Sequence, residues 1–149
     1  MRVELPYRAE RGFDAVYGLE ITGHTEQTVT GQVAVRDELK QPAGLVHGGV
    51  FASIAESLAS LGTAFKVIPE GKIAVGLSNQ TSFLRPITGG TIHAVATVRH
   101  RGRTTWVWEV DMTDDDQRLC VLTRMTVAVR DPRGCRGPGV RRRRPRQPP

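Results

Sequence analysis

The sequence predicts an α+β protein in which one long helix packs against an antiparallel sheet. Only one segment has the periodicity of a long amphipathic helix, and most others are rich in β-branched residues and separated by turn residues. Strands that follow one another without intervening helices favour antiparallel pairing over a parallel, doubly wound sheet. A chain of 149 residues is about the size of one domain.

The first predicted elements are two strands joined as a hairpin. Residues 15–25 and 27–36 are enriched in Val and Thr, and they meet at a short polar Glu-Gln pair. Residues 37–47 then predict a loop, because they contain Pro42 and Gly44 and both residue types interrupt regular structure.

Residues 49–66 predict the long helix. Apolar side chains recur in this segment at steps of four, four, three and four residues, which is the spacing of one helix face. These positions are Val50, Ile54, Leu58, Leu61 and Phe65. The helix is therefore expected to present one apolar face to the sheet.

Four strands are predicted after the helix, and turn residues separate each strand from the next. They span residues 73–85, 91–101, 104–113 and 119–129. Trp106 and Trp108 share one face of a strand, so we expect both to anchor the core or an interface. The acidic residues 114–116 are expected to form a polar turn, because their spacing lacks the calcium-binding EF-hand pattern.

The opposite face of the helix lacks the charges of a solvated helix. It carries small residues and one acid, namely Ala52, Ser53, Glu56, Ala59 and Ser60. Because small residues allow another backbone to approach closely, we expect a second subunit to cover this face and to bury Glu56 partly. The alternative is that Glu56 is an ordinary solvated helix residue.

The helix follows a glycine-rich loop, residues 44–49, of sequence Gly-Leu-Val-His-Gly-Gly. The first N–H groups of a helix lack intrahelical partners and lie at the positive end of its dipole. Glycines let a carbonyl oxygen approach such groups, so this helix start is a candidate oxyanion hole. The alternatives are a flexible turn for the glycine pair and a structural role for His47.

The net charge of the chain, +6, is concentrated at the C-terminal end. Residues 132–149 contain seven arginines and no acid, which leaves residues 1–131 with a net charge of −1. Because the terminal segment is rich in Pro and Gly and poor in large apolar groups, we expect a disordered tail after a folded domain of residues 1–131. Any nucleic-acid binding by this tail would be weak, salt-dependent and insensitive to base sequence.

The location of the protein is predicted from the absence of membrane and export signals. The N-terminus has no apolar stretch of the secretory type, and no apolar run approaches the ~18 residues that span a bilayer. We therefore expect a cytoplasmic protein without a membrane partner. Cys120 and Cys135 form neither a disulfide framework nor a metal-binding pattern, so both are expected to be free thiols.

Residues 41–60 contain a His-Gly-Gly triplet, a Glu eight residues after its first glycine and a Ser four residues after that Glu. This segment resembles the hotdog-fold acyl-CoA thioesterases, in the branch of the Arthrobacter-type 4-hydroxybenzoyl-CoA thioesterase and the 1,4-dihydroxy-2-naphthoyl-CoA hydrolases. The resemblance covers residues 15–130 and continues in residues 75–79, 81–86, 104–108 and 118–120. It implies the hotdog fold, a curved antiparallel sheet wrapped around one long central helix.

The resemblance implies catalytic roles for five residues. Glu56 matches the acid that attacks the thioester carbonyl or activates water, and Gly48 matches the helix-start amide that polarises that carbonyl. Gln41 and His47 match groups that support the carbonyl and its surroundings, and Ser60 matches a Thr or Ser that positions water. Since Glu56 comes from a different subunit than Gln41 and Gly48 in this branch, a homo-oligomer is implied, either a dimer or a homotetramer.

Coenzyme A binding is implied for three further residues. Arg85, Arg103 and Thr104 match positions that hold the nucleotide end of coenzyme A, although Arg103 departs from the small residue expected there. No metal and no separate cofactor are implied, because coenzyme A is part of the substrate.

The predicted function is hydrolysis of an acyl-CoA, preferentially an aryl-CoA, to the free acid and coenzyme A. Glu56, the helix start and a site closed by a second subunit would supply the base or nucleophile, the oxyanion stabiliser and the dry environment. The alternative is a noncatalytic acyl-CoA binding or sensing module on the same fold, which would have no use for Glu56 beside an electrophilic carbonyl. A nucleic-acid binder acting through the tail rests on composition alone.

Overall fold

The computed structural model describes residues 12–132, so the predicted tail lies outside the described residues except for Pro132. The α-helices of this part of the chain are α1 (Phe13–Tyr17) and α2 (Gly48–Val67), and a short 3₁₀-helix, Asp37–Leu39, lies in the loop predicted at residues 37–47. The strands are β1 (Glu20–His24), β2 (Thr28–Ala34), β3 (Ile73–Phe83), β4 (Thr91–Arg101), β5 (Thr105–Thr113) and β6 (Leu119–Arg130). The boundary between domain and tail stays a prediction.

The six strands form one antiparallel sheet in the order β1-β2-β4-β5-β6-β3. Strands β4, β5 and β6 follow one another through short turns, whereas β3 lies at the far edge, beside β6. Helix α2 contacts β2, β3, β4, β5 and β6, so the sheet curves around it. The predicted α+β class is confirmed, and the arrangement is the hotdog fold.

Alternation of buried and exposed side chains places the core on the concave face of the sheet. Strand β2 buries Val29, Gly31 and Val33, and the residues between them are only partly covered. Strand β5 buries Trp106, Trp108, Val110 and Met112 in the same manner. Successive side chains of a strand point to opposite faces, so this pattern orients both strands toward α2. Both tryptophans were predicted to anchor the core or an interface, and both lie in the core.

The second half of α2 is locked to β5 by a buried hydrogen bond. The indole N–H of Trp108 donates to the hydroxyl of Thr63 at 2.9 Å, and that hydroxyl donates to the carbonyl of Ala59 at 2.9 Å. A methyl group on Gly62 would lie 2.5 Å from the tip of the Trp108 ring. Glycine is therefore required here so that the large ring can reach the helix.

The small-residue face of α2, which a second subunit was predicted to cover, is only partly open within one chain. Glu56 is exposed and Ser60 is half-buried, but Ala59 is fully buried. The placement of Ala59 on the open face was wrong, because a curved sheet covers more of the helix circumference than a flat sheet does. Cover of Glu56 by a second subunit remains a prediction.

Helix α2 also meets the length and composition requirements of a membrane-spanning helix. Core helices of folded domains often meet the same requirements. Ile54, Ala55 and Leu58 of α2 are fully buried inside the domain, so packing against the sheet accounts for its apolar character.

The first predicted strand begins too early. Residues 15–17 belong to α1, which ends at Gly18 in a left-handed conformation with φ of 80°. A helix of five residues is too short to produce a helical period, so its Val and Tyr resemble strand residues. The hydroxyl of Tyr17 donates to the Asp14 carboxylate at 2.5 Å, and this pairing ties the helix together.

The turn between β5 and β6 is the polar turn that the sequence predicts. The carboxylate of Asp114 accepts backbone N–H groups from Asp116 and Arg118 at 3.1 and 3.0 Å and the Arg118 guanidinium N–H at 2.8 Å. The hydrogen bonds from Arg118 lower the pKa of Asp114. Cys120, in the strand that follows, is a buried free thiol as predicted, and Cys135 lies outside the described residues.

Candidate functional site

The N-terminus of α2 leaves one backbone donor available. His47 precedes the helix, and its Nδ1 accepts the N–H of Gly49 at 2.9 Å, while its carbonyl accepts the N–H of Val50 at 3.0 Å. The N–H of Gly48 has no hydrogen-bond partner within residues 12–132. The helix dipole places positive potential at this donor, so it suits a carbonyl oxygen that gains negative charge.

His47 serves as a helix cap in this arrangement. Its exposed ring lies against Gly49, where a methyl group would be 3.0 Å from Nδ1. Through Nδ1 the ring satisfies one of the first N–H groups of the helix, which have no partner inside the helix. His47 thus has a structural role at the helix start, and its predicted role in supporting the substrate carbonyl stays a prediction.

The loop before α2 holds Gln41 next to the helix start. The backbone N–H of Gln41 donates to the Leu45 carbonyl at 2.8 Å, and its side-chain oxygen accepts the N–H of Ala43 at 3.1 Å. Gly44 closes this loop with φ of 85°, a conformation that favours glycine. Since the side-chain oxygen is used inside the loop, the side-chain NH₂ group is the part of Gln41 suited to a ligand.

Gln41, Gly48 and Arg85 line the same open cavity, which has a volume of about 570 Å³. The rest of its wall is apolar and consists of Leu45, Val46, Phe51, Phe83, Leu84, Pro86 and Ile87. Arg85 is held at this position because its guanidinium donates to the carbonyl of Leu119 at 2.7 Å. The cavity therefore combines an amide donor, a side-chain amide and a cation with apolar walls.

Glu56 lies two turns further along α2, about 12 Å from Gly48 at ~1.5 Å per residue. The hydroxyl of Ser60 donates to its Oε1 at 3.0 Å, so these two predicted residues are in direct contact. No basic side chain within residues 12–132 forms an ion pair with Glu56. The carboxylate is exposed and oriented by Ser60, but within one chain it is not at the cavity of Gly48.

Gly76 of β3 lies beneath this carboxylate. A methyl group on Gly76 would be 3.1 Å from Oε1 of Glu56. The pairing of β3 with β6 is irregular between Gly76 and Ser78, and such bulges often adjoin active sites. Close by, the side-chain amide of Asn79 donates to the Ala52 carbonyl at 2.9 Å and ties β3 to the small-residue face of α2.

Arg103 and Thr104 are not near Arg85 in one chain. They form the turn between β4 and β5, and sheet pairing places Thr105 level with the beginning of β3, whereas Arg85 follows its end. At ~3.3 Å per residue the two ends of β3 are roughly 30 Å apart. Arg103 lines a smaller cavity of about 230 Å³ together with Lys66, Lys72 and Arg101.

A hydrogen-bonded cluster beside Glu56 was not predicted. The Asp14 carboxylate accepts the hydroxyl groups of Tyr17 at 2.5 Å and Ser57 at 2.6 Å, which fastens α1 to α2. Burial and the hydrogen bond to Asp14 hold the pKa of Tyr17 far above its usual range. The sequence carried no signal for this cluster, because Ser57 and Asp14 are 43 residues apart.

The matches to known proteins agree with this geometry. A family model described as the thioesterase superfamily matches residues 43–121, which include the helix start, Glu56 and Arg85. The chain belongs to the thioesterase superfamily. With its hotdog fold it is an acyl-CoA thioesterase.

Three relatives of this enzyme illustrate the match. A 1,4-dihydroxy-2-naphthoyl-CoA hydrolase of Listeria monocytogenes is 34% identical over 122 residues, which cover 82% of this chain and 98% of the relative. A thioesterase of Pseudomonas aeruginosa, solved as a variant, superposes with a TM-score of 0.79 at 30% identity and covers 82% and 88% of the two chains. A thioesterase of Haemophilus influenzae gives a TM-score of 0.78 at 32% identity and covers 83% and 85%.

Proposed function

We propose that the enzyme hydrolyses aryl-CoA thioesters, with Glu56 and the Gly48 N–H acting on the same carbonyl group. The observation that carries this proposal is the Gly48 N–H, which lacks a partner within residues 12–132 and borders the large apolar cavity. An aromatic acyl group suits walls that include Phe51 and Phe83, and the relative from Listeria acts on an aromatic acyl-CoA by its name.

The reaction consumes one water molecule and yields a carboxylic acid and the thiol of coenzyme A. The carbonyl oxygen accepts the Gly48 N–H, which stabilises the negative charge that develops when the carbonyl carbon is attacked. Glu56 either takes a proton from the attacking water or attacks the carbon itself to give an anhydride that water then cleaves. Ser60 orients the Glu56 carboxylate in both cases.

The two halves of the site would come from different subunits, because Glu56 and Gly48 of one chain are separated along α2. Strand β3 supports this assembly, since it is an edge strand with exposed Val75, Leu77 and Phe83. Pairing of β3 with the same strand of a second copy would satisfy its free backbone groups and cover the Glu56 face. The proposed unit is a dimer or a homotetramer of hotdog subunits.

The cation Arg85 lies in the same cavity as Gly48, and Arg103 and Thr104 lie at the opposite end of the subunit. We propose that Arg85 and the pair Arg103 and Thr104 all hold phosphate groups of coenzyme A. Arg103 and Thr104 would reach the substrate from a neighbouring subunit.

No metal or separate cofactor takes part, and the cytoplasm is the proposed location.

Steady-state hydrolysis of an acyl-CoA panel tests this function. Benzoyl-CoA, phenylacetyl-CoA, hexanoyl-CoA and acetyl-CoA are compared by release of free thiol, and kcat/KM should be highest for the aryl substrates. The noncatalytic alternative predicts saturable binding of benzoyl-CoA without thiol release. A higher kcat/KM for hexanoyl-CoA than for the aryl substrates would still show a thioesterase, but it would overturn the proposed preference for aryl-CoA.

A mixing experiment tests the shared site. Glu56→Ala chains lack the carboxylate, and Gly48→Pro chains lack the N–H donor, so each homo-oligomer should be inactive. Heteromers formed by refolding the two together should regain activity, because one site of each pair is intact. Verified heteromers without activity would show that each site is built within one chain.

A further inference from the structure

The ring of Phe83 lies directly against the start of α2. A methyl group on Gly48 would be 2.8 Å from Cζ of this ring, 3.1 Å from Cε1 and 3.4 Å from Cε2. These distances describe a ring whose tip points at the Cα of Gly48. The donor of the proposed site is therefore flanked by an aromatic edge.

This contact explains why residue 48 is glycine. Gly48 does not have the left-handed backbone that favours glycine at Gly44, so alanine could adopt its φ and ψ. The obstacle to a side chain is the ring of Phe83, because real Cβ atoms do not approach another carbon to 2.8 Å. A side chain at residue 48 and the present position of the Phe83 ring thus exclude each other.

The surroundings of Phe83 fix its backbone and leave its ring accessible. Its strand is paired with β6 opposite Val121, and the N–H groups of the next two residues both donate to the carbonyl of Cys120 at 2.8 and 3.0 Å. The side chain is 59% exposed and meets the buried ring of Phe51, with ring centroids 6.2 Å apart. The ring therefore contributes little to the core: it lies on the edge strand proposed to pair with a second copy and also against the helix start that lines the cavity.

We propose that Phe83 is a positioning residue for thioester hydrolysis, because its ring lies against Gly48 at the start of α2 and sets where a thioester carbonyl can lie. This inference rests on the proposed role of Gly48. The ring restricts the access of water on one side of the donor, and a hydrogen bond to a developing oxyanion is stronger where less water reaches it. It also bounds the cavity between Gly48 and Arg85, so it limits sideways movement of the bound thioester.

A double-mutant cycle tests the proposal with benzoyl-CoA as the probe. Gly48→Ala keeps the backbone N–H but forces the Phe83 ring to move, and kcat should fall by up to ~10²-fold, the effect of a displacement near 1 Å. Phe83→Ala alone should lower kcat by about 10-fold, less than the loss of an oxyanion donor. In the double variant the added methyl has room, so kcat should return to the level of Phe83→Ala.

Gly89→Ala is the matched control for the glycine substitution. Among residues 12–132, no atom lies within 4 Å of a methyl group at Gly89, and the φ of Gly89 is not in the left-handed region, so kcat and stability should not change. Phe83→Leu and Phe83→Tyr give a second measurement if Gly48→Ala does not fold. Loss of kcat with little change in KM for Leu, and retention of kcat for Tyr, are expected for a ring that positions the carbonyl.

The outcomes separate this inference from the proposed function. An active wild type in which the two substitutions lower kcat independently, so that the double variant shows the product of both losses, overturns the role of Phe83 alone. An unchanged kcat and KM for Phe83→Leu has the same consequence. A wild type that releases no thiol from any acyl-CoA of the panel overturns the proposed function and the inference with it.

Discussion

The two halves of helix α2 use small residues for opposite purposes. At the start of the helix, Gly48 and Gly49 leave room for the Phe83 ring and the His47 cap, and one N–H remains without a partner within residues 12–132. In the second half, Gly62 leaves room for the buried ring of Trp108, whose N–H is satisfied by Thr63. Glycine thus serves a solvent-accessible cavity at one end and dense packing at the other.

This difference shows how one helix can stabilise the fold with one half and carry site residues on the other. The half that carries Thr63 is fixed to the sheet through buried and satisfied polar groups, which resist movement. The other half keeps two polar groups accessible, namely the Gly48 N–H and the Glu56 carboxylate. These groups add little to the stability of the fold, but a substrate can bind to them. Substitutions in the N-terminal half of α2, which carries Gly48 and Glu56, should therefore lower activity. Substitutions in the C-terminal half, which carries Thr63, should lower the free energy of unfolding.

The largest expected effect is that of Glu56→Ala on activity. Removal of the carboxylate should lower kcat for benzoyl-CoA by at least ~10²-fold, the contribution of a positioned acid or base. The free energy of unfolding should change little, because Glu56 is exposed. Thiol release and thermal unfolding are measured together, with Glu26→Ala as a control, since Glu26 is also an exposed glutamate and lies in the turn between β1 and β2. Full activity in Glu56→Ala would remove this residue from the mechanism.

Gly62→Ala tests the packing half of the helix. The added methyl would lie 2.5 Å from the Trp108 ring and 2.8 Å from Val29, so the core must rearrange at a cost of about 1–3 kcal/mol in the free energy of unfolding. Denaturant unfolding measures this loss, and kcat per folded molecule should stay close to the wild-type value. A large loss of kcat without a loss of stability would show that the two halves of α2 are not separate in function.

Thr63→Val should lower the free energy of unfolding by an amount similar to that for Gly62→Ala. The change keeps the shape of the side chain but removes the hydroxyl that accepts the Trp108 N–H, and a buried unsatisfied donor costs about 1–3 kcal/mol. Replacing Trp108 by Phe in the same protein should remove part of this penalty, because no donor is then left unpaired. Thr22→Val is the control, since its hydrogen bond to Thr30 is exposed. An equal loss in the free energy of unfolding for Thr63→Val and Thr22→Val would show that burial of the hydrogen bond is unimportant.

The predictable parts of the fold depend on local patterns. The helix predicted at residues 49–66 is Gly48–Val67, and the strand predicted at 119–129 is Leu119–Arg130. Both were found because a helical period or a run of β-branched residues, with turn residues at its ends, is visible within one segment. Helix α1 was missed because five residues are too few to show a period.

In the site, too, the features that could be predicted are local in the sequence. Gln41 and Gly48 share a cavity because only six residues separate them in the chain, and the motif that contains both is local. The contact of Phe83 with Gly48 was not predictable, because it joins residues 35 positions apart and depends on the register of β3 against β6. Cover of the Glu56 face cannot be read from one chain, since it depends on how a second copy packs.

The smallest effect is expected from removal of the arginine-rich tail. Truncation after Asp131 leaves every predicted site residue in place, so kcat for a short thioester of N-acetylcysteamine, which lacks the nucleotide, should be unchanged. The seven arginines of the tail are expected to attract the polyanionic coenzyme A, so kcat/KM for benzoyl-CoA should fall modestly in the truncated enzyme at low salt. That difference should disappear as salt is raised, because the Debye length is already ~10 Å at 0.1 M. A loss of kcat that is large and independent of salt would place the tail within the folded site and shift the domain boundary beyond residue 131.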